Sequence, residues 1–283
     1  MASLSQRGEI IMKYVGCLLL LLLLSFVTNA SLATDDKKSL TAAEIINKHL
    51  EAVGGKQALA RLKSRVAIGT VRKENEAEVR MAIVSESPNR VSAVYVFERF
   101  DWHLTFDGKK SFVRGGPPFP RDFSPIQDKY NEMLSSGLMF NSISLYNLLL
   151  DSESNGVKFE AKGTKKIKDR LAYVVEVKNS RVSARLYFDA ETFMWVRTDY
   201  GRASVSKSIQ PFTNQSVSHS DDEMSVDFYF ETSDFREADG VKLPFKFEQV
   251  VTYPILKQKR AGTISGTISE YQHNVQIDPK MFQ

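Results

Sequence analysis

Residue types that commonly do chemistry are spread thinly along this chain. The four histidines, His49, His103, His219 and His273, stand far apart. The one group with metal-ligand character is "SHSDDE", where Asp221, Asp222 and Glu223 would offer carboxylate oxygens to a hard cation and His219 a ring nitrogen. It sits in a polar stretch, where neighbouring acids ordinarily remain solvated, so no metal site is expected. There is no G-x-S-x-G elbow, Walker loop, H-E-x-x-H or G-x-G-x-x-G. A sheet could bring Glu248 and Asp227 together as a carboxylate pair, but any large sheet offers such pairs. The expectation is a protein without catalytic residues, metal or cofactor, and not an enzyme.

Cys17 is the single cysteine, and it precedes the leucine run instead of following it. A lipid-bearing cysteine must lie at the cleavage point, so Cys17 is wrongly placed to carry one. Around it, Lys13, "YVGCLLLLLLLSFV" and "TNASLATDD" have the basic, apolar and small-residue order of a secretory signal. Thr28-Asn29-Ala30 and Ser31-Leu32-Ala33 both suit cleavage. The apolar run is shorter than the ~20 residues that span a bilayer. Residues 1–33 are therefore expected to be a cleaved signal, and 34–283 one domain. Met12-Lys13 would serve as an alternative start. The mature chain then has no disulfide or thiolate, which suits a bacterial periplasm; the alternative is inner-membrane anchoring by an uncleaved signal. The net charge of +4, with no basic stripe interleaved with aromatics, argues against nucleic acid. The densest basic run, Lys162 to Arg170, suits a solvated hairpin; contact with a membrane surface or an acidic partner is the alternative.

Few elements are needed to place these residues. "SLTAAEIINKHLEAVGG" predicts a helix with a Thr41/Glu44 capping box, an apolar face of Ile45, Ile46, Leu50 and Val53, and a Gly54-Gly55 stop. His49 lies near that face as an interfacial histidine. "KQALARLKS" adds a short helical turn. The period then changes to two. Val66, Ile68 and Val71 lie in a first strand, Val79, Met81 and Ile83 in a second, and "RVSAVYVFE" in a third whose apolar residues fall on both faces. Asp107-Gly108 and Asp239-Gly240 predict tight turns. Proline-rich Arg114–Pro125 must be a loop. Between the strand runs, Ser124–Asp151 predicts two short helices separated by Gly137. In "GVKLPFKFEQV", Val241, Leu243, Phe245 and Phe247 share one face. About ten to twelve strands with short turns predict a large antiparallel sheet, which must curl, close or be covered, and the helices are the available cover.

The order of parts, "AAEIINKHLEAVGGKQALARLKSRVAIGTV", then hairpins, a helical insert, "LYFDAETFMWVRTDY" and "DFREADGVKLPFKFEQ", resembles the bacterial outer-membrane lipoprotein-sorting-protein-like family, relatives of the periplasmic carrier LolA and its receptor LolB. The resemblance spans nearly all of the mature chain. It implies an α+β, mostly β fold: a half-barrel of about eleven antiparallel strands closed over by short helices, with an apolar cavity for acyl chains. The same shape serves mycobacterial lipid-binding lipoproteins and an envelope-stress regulator that binds an anti-sigma factor. The carrier has a cavity arginine; Arg80, Arg90 and Arg99 are open candidates for its counterpart.

A cavity would be lined by large apolar side chains. From the strands these are Met81, Ile83, Val94, Val96, Phe188, Trp195, Phe228, Phe230, Phe245 and Phe247. Leu138, Met139 and Phe140 would form a lid. The alternative is that they fill an ordinary core. The expected function is a periplasmic carrier or binding protein for a lipid or the acyl chains of a lipoprotein. The alternative is a cell-envelope protein-binding or sensory module on the same fold.

Overall fold

The computed structural model describes residues 39–73, 76–115, 124–139, 142–151, 156–178, 183–206, 223–255 and 258–283, with side chains at all of these except 113, 115, 124–129, 202–206, 223–226, 253–255 and 258–261. The predicted signal, Phe140 and His219 to Asp222 lie outside the described residues. The unit described below runs Leu40–Gln283.

Two helices open it, α1 (Ala42–Ala52) and α2 (Lys56–Ala60). The predicted capping box forms: the Thr41 side chain accepts from the Glu44 amide, and the Thr41 amide donates to the Glu44 carboxylate at 2.8 Å. The strands β1 (Ser64–Lys73), β2 (Val79–Glu86), β3 (Arg90–Val96), β4 (Asp101–Phe106) and β5 (Ser111–Gly115) follow as a meander. Helices α3 (Ser124–Ser135) and α4 (Ile143–Leu150) come next. A second meander completes the sheet with β6 (Lys158–Ile167), β7 (Arg170–Lys178), β8 (Ser183–Asp189), β9 (Trp195–Ser206), β10 (Glu223–Ala238), β11 (Val241–Ile255) and β12 (Gln258–His273). A 3-10 turn, Pro279–Phe282, ends the chain.

All twelve strands form one sheet in the order β5-β4-β3-β2-β1-β12-β11-β10-β9-β8-β7-β6, every pairing antiparallel. The two meanders therefore grow outwards from a central β1–β12 seam. β5 and β6 are the opposite edges, so the chain between them must cross a face of the sheet. That crossing carries α3 and α4, and this topology puts the helical insert over the sheet. Helix α3 meets β9, β4 and β5, while α4 meets β2 and α2. The Tyr200 hydroxyl donates to the Leu138 carbonyl at 2.6 Å, and the Ile143 amide donates to Ser85 Oγ at 2.9 Å.

Alternation sets the inner, helix-covered face. Ala67, Met81, Ile83, Ala93, Leu186, Phe188, Phe230, Leu243 and Phe247 are all buried in one core with Ile45, Leu50, Leu59 and Leu134. Two glycines on the seam permit local departures. β12 carries an extra residue at Ser269, opposite Ile68 and Gly69, so Ile268 and Tyr271 both point inwards although three apart. A Cβ on Gly69 would lie 2.1 Å from the Thr267 carbonyl oxygen, and one on Gly266 would strike the Phe247 ring at 2.1 Å.

Candidate functional site

Most side chains expected to line a cavity instead make the core. Met81, Ile83, Leu138, Met139, Phe188, Trp195, Phe228, Phe230 and Phe247 are buried in the common cluster, and Phe245 packs on it partly exposed. Val94 is corrected. Register pairs it with Ala82 and His103, on the face opposite Met81 and Ile83. Val96 has the same parity, pairing with Arg80 and Asp101. The third strand is apolar on both sides because its outer face is also covered. Phe282 from the 3-10 turn is buried, the turn packs on β3, and the Arg90 guanidinium lies 4.9 Å from the Phe282 ring centroid.

Space remains at the end of the inner face where the β1–β2 and β3–β4 turns lie. A cleft of about 690 Å³ opens there, a size usual for small-molecule sites. Its apolar walls come from Val71, Val79, Tyr95, Phe100, Trp102 and Ile264, and Tyr130 from α3 reaches it from the helical layer. Val96 is the residue of the expected set that borders it. The aromatics form a chain: Tyr95 on Trp102 at 5.4 Å between ring centroids, Trp102 edge-on to Tyr130 at 6.3 Å, and Tyr130 edge-on to Phe228 at 5.3 Å.

Three polar groups interrupt these walls. Gln249 of β11, buried and inward beside Ile264, donates its amide Nε2 to the Tyr130 hydroxyl. Burial pushes the Tyr130 phenol up to about 12, although the Gln249 contact opposes the shift. Tyr95 is raised further, by burial first and by Tyr130 second. Both therefore keep their protons at any physiological pH. Around the rim stand Lys73, Arg80 and Arg99 with Glu76, Glu78 and Glu98, equal numbers of each sign, and Lys73 pairs with Glu76 at 2.6 Å.

Among the described residues the buried arginine is Arg65, which is not one of the three candidates from sequence. It is fully buried on the inner face of β1, opposite Ser85 and His273. Its Nε donates to His273 Nε2 at 3.0 Å, and His273 Nδ1 donates to the Asp239 carboxylate at 2.8 Å. The Tyr146 and Tyr271 rings lie 5.2 and 5.9 Å from the guanidinium. Of the three candidates, Arg80 and Arg99 stand at the cleft rim, and Arg90 pairs with Glu86 outside. The signal is inverted in β1: Val66 and Ile68 face out, Ile68 being 38 % exposed, while Arg65, Ala67 and Gly69 face in. Only parity with the inward Val71 could have found it.

The outer face carries a different cleft of about 550 Å³, bounded by charged side chains including Lys165, Glu176, Arg185 and Asp199. Arg197 stacks there on Tyr229, its guanidinium 3.5 Å from the ring centroid, and pairs with Glu231 at 3.3 Å. Among the described residues no group of three or more His, Cys, Asp or Glu is placed to hold a metal. No helix among them is long and apolar enough to cross a membrane.

Among the described residues the fold is thus a twelve-stranded open antiparallel sheet with its inner face under short helices. No family model matches the chain, and no curated protein matches it. Solved structures do. A LolA superfamily protein from Nitrosomonas europaea is similar over 87 % of this chain and 98 % of its own, at 12 % identity and a TM-score of 0.42. A DUF1329 family protein from Desulfovibrio piger is similar over 86 % and 97 %, at 10 % identity and a TM-score of 0.45. MucB, solved in complex with MucA, is similar over 82 % and 99 %, at 11 % identity and a TM-score of 0.20.

Proposed function

We propose that this chain is an exported carrier or binding protein for a lipid or the acyl chains of a lipoprotein, and that it takes hydrocarbon in the cleft between β1–β4 and α3. The observation behind this is an open, aromatic-walled space on the inner face beside a buried apolar core. Each methylene moved there from water contributes about 0.8 kcal/mol, so burying eight gives roughly 6 kcal/mol without any charged contact. Such a protein works by holding and releasing cargo, not by catalysis. Residues 1–33 are read as the signal removed on export, 34–283 as the cargo-binding domain, and the periplasm as its place; these rest on the signal-like order around the leucine run.

Mass spectrometry of lipid extracted from natively purified protein tests the reading. Co-purified acyl lipid is expected. Its repeated absence, with no quenching or shift of Trp102 fluorescence by added acyl compounds, would end it. Trp102 is a built-in reporter, because the only other tryptophan, Trp195, is buried in the core.

A second reading, an envelope protein-binding module, is favoured by the charged outer cleft with its Arg197–Tyr229 stack. A stable partner captured from envelope extract, released by Arg197→Ala while the inner cleft stays free of lipid, would prefer it.

A further inference from the structure

The polar groups in the inner cleft are unusual in their arrangement, and they carry information about the cargo's chemistry. Tyr95, Tyr130 and Gln249 line one apolar space. The Tyr130 oxygen already accepts from Gln249 Nε2, so its own proton is left to donate. Among the described residues nothing hydrogen-bonds the Tyr95 hydroxyl. Two O–H donors thus border the same cleft, inside walls made of Trp102, Val79 and Ile264. Water filling the open cleft is the acceptor such a hydroxyl would otherwise have, and a cargo that expels that water must supply an acceptor in its place, which a hydrocarbon cannot.

The electrical surroundings select among acceptors. A carboxylate brought to this depth would be an anion among aromatic rings, with no cation in the apolar walls. The cations that border the cleft, Lys73, Arg80 and Arg99, stand at the rim among Glu76, Glu78 and Glu98 and leave no net positive field. A neutral carbonyl oxygen meets neither penalty. Resting on the acyl reading above, we propose that the cleft is built for an acyl ester or amide, whose carbonyl oxygen accepts from the Tyr95 and Tyr130 hydroxyls, in preference to a free fatty acid. The raised affinity of both phenols for their protons keeps these donors intact through the neutral range.

Displacement of Nile red from the purified full chain by methyl decanoate and by decanoate at pH 8 tests this. The ester is expected to compete at a concentration at least tenfold lower. Because an ester is intrinsically greasier than an ionised acid, the decisive quantity is the change in that ratio when the hydroxyls are removed. Tyr95→Phe, which breaks no hydrogen bond among the described residues, is expected to lower the ratio several-fold, and Tyr95→Phe/Tyr130→Phe by fivefold or more through weaker ester binding. An unchanged ratio in both variants, or decanoate competing as well as the ester against the unsubstituted protein, would overturn the proposal while leaving an acyl cleft in place. Failure of both compounds to displace the dye would remove the acyl cleft, and this proposal with it.

Discussion

His49 shows how one side chain can set the pH range of a fold. It sits on the buried face of α1, its ring 4.9 Å from that of Phe188 and stacked near Tyr146 at 6.3 Å. Nδ1 donates to the Phe193 carbonyl at 2.9 Å, and buried Nε2 has no hydrogen-bond partner. Burial lowers its pKa to about 4, against a smaller upward pull from Phe193. The unfolded chain, titrating near 6.5, binds the proton first, so stability is full above that value and is lost as pH falls towards 4. The loss should approach ~1.4 kcal/mol per pH unit, a few kcal/mol in all. His273, lowered by burial and by Arg65, acts in the same direction. Urea unfolding at successive pH values should show this slope, and His49→Gln should flatten it; an unchanged slope would place the acid sensitivity elsewhere. At the cleft, Trp102 is half-exposed, so Trp102→Ala should cost acyl-compound affinity about tenfold, as expected for a lost aromatic anchor. Titration with methyl decanoate measures it. At this scale the sequence was only partly legible. It set His49 near the apolar face of α1 but as an interfacial residue, whereas the side chain is fully buried. It could not sort core from cleft among Phe228, Phe230 and Phe247, because apolar type and spacing are the same for both uses.

At the scale of elements, two sequence features turn out to be halves of one contact. The Gly54-Gly55 stop of α1 and the Asp239-Gly240 turn before β11 are far apart in sequence. Yet a Cβ on Gly54 would lie 2.4 Å from the Gly240 carbonyl oxygen, and the Lys242 amide donates to the Val53 carbonyl at 2.9 Å. Gly54 has φ +126°, and so is excluded to other residues twice over. Gly54→Ala should therefore destabilise by about 3 kcal/mol or more, whereas Gly55→Ala, at φ +90° with open space around it, should cost roughly 1–2 kcal/mol of backbone strain. Chemical denaturation of the pair checks this, and equal losses would mean that the close approach is not limiting. The helix and the turn were each readable from local rules of capping and positive φ. Their docking was not, since nothing local in either segment names its partner. The third strand shows the complementary limit. Alternation cannot orient a segment apolar on both sides, and only the register with β2 and β4 puts Val94 on the outer face.

On the scale of the whole molecule, an open sheet must deal with its two edges. β6 ends the sheet with Lys158, Lys162, Lys165 and Lys166 and a register break between Ala161 and Thr164. Lys162 pairs with Glu160 and Glu176 at 2.7 and 3.3 Å. Charge and irregularity on an edge discourage a second sheet from adding to it. The basic run thus belongs to the hairpin expected from sequence, and serves as an edge guard. Lys162→Thr/Lys165→Val/Lys166→Thr should leave the fold intact but cause concentration-dependent association visible by light scattering; a monodisperse triple variant would refute that role. The number of strands and the presence of helical cover were legible because both follow from period and turn chemistry. The strand order was not, because adjacency in sequence says nothing about which strand closes the middle.

That middle is the pairing of the first strand with the last. Arg65 and His273 are hydrogen-bonded across it although 208 residues separate them. During synthesis β1 can pair with β2 at once but must wait for almost the whole polypeptide before its other neighbour, β12, exists, so contacts of such high separation make assembly slow. Until then a nascent chain carries two unfinished fans of strands and an arginine without its imidazole. Loss of only the final two dozen or so residues would remove β12 and leave a raw gap through the centre of the sheet.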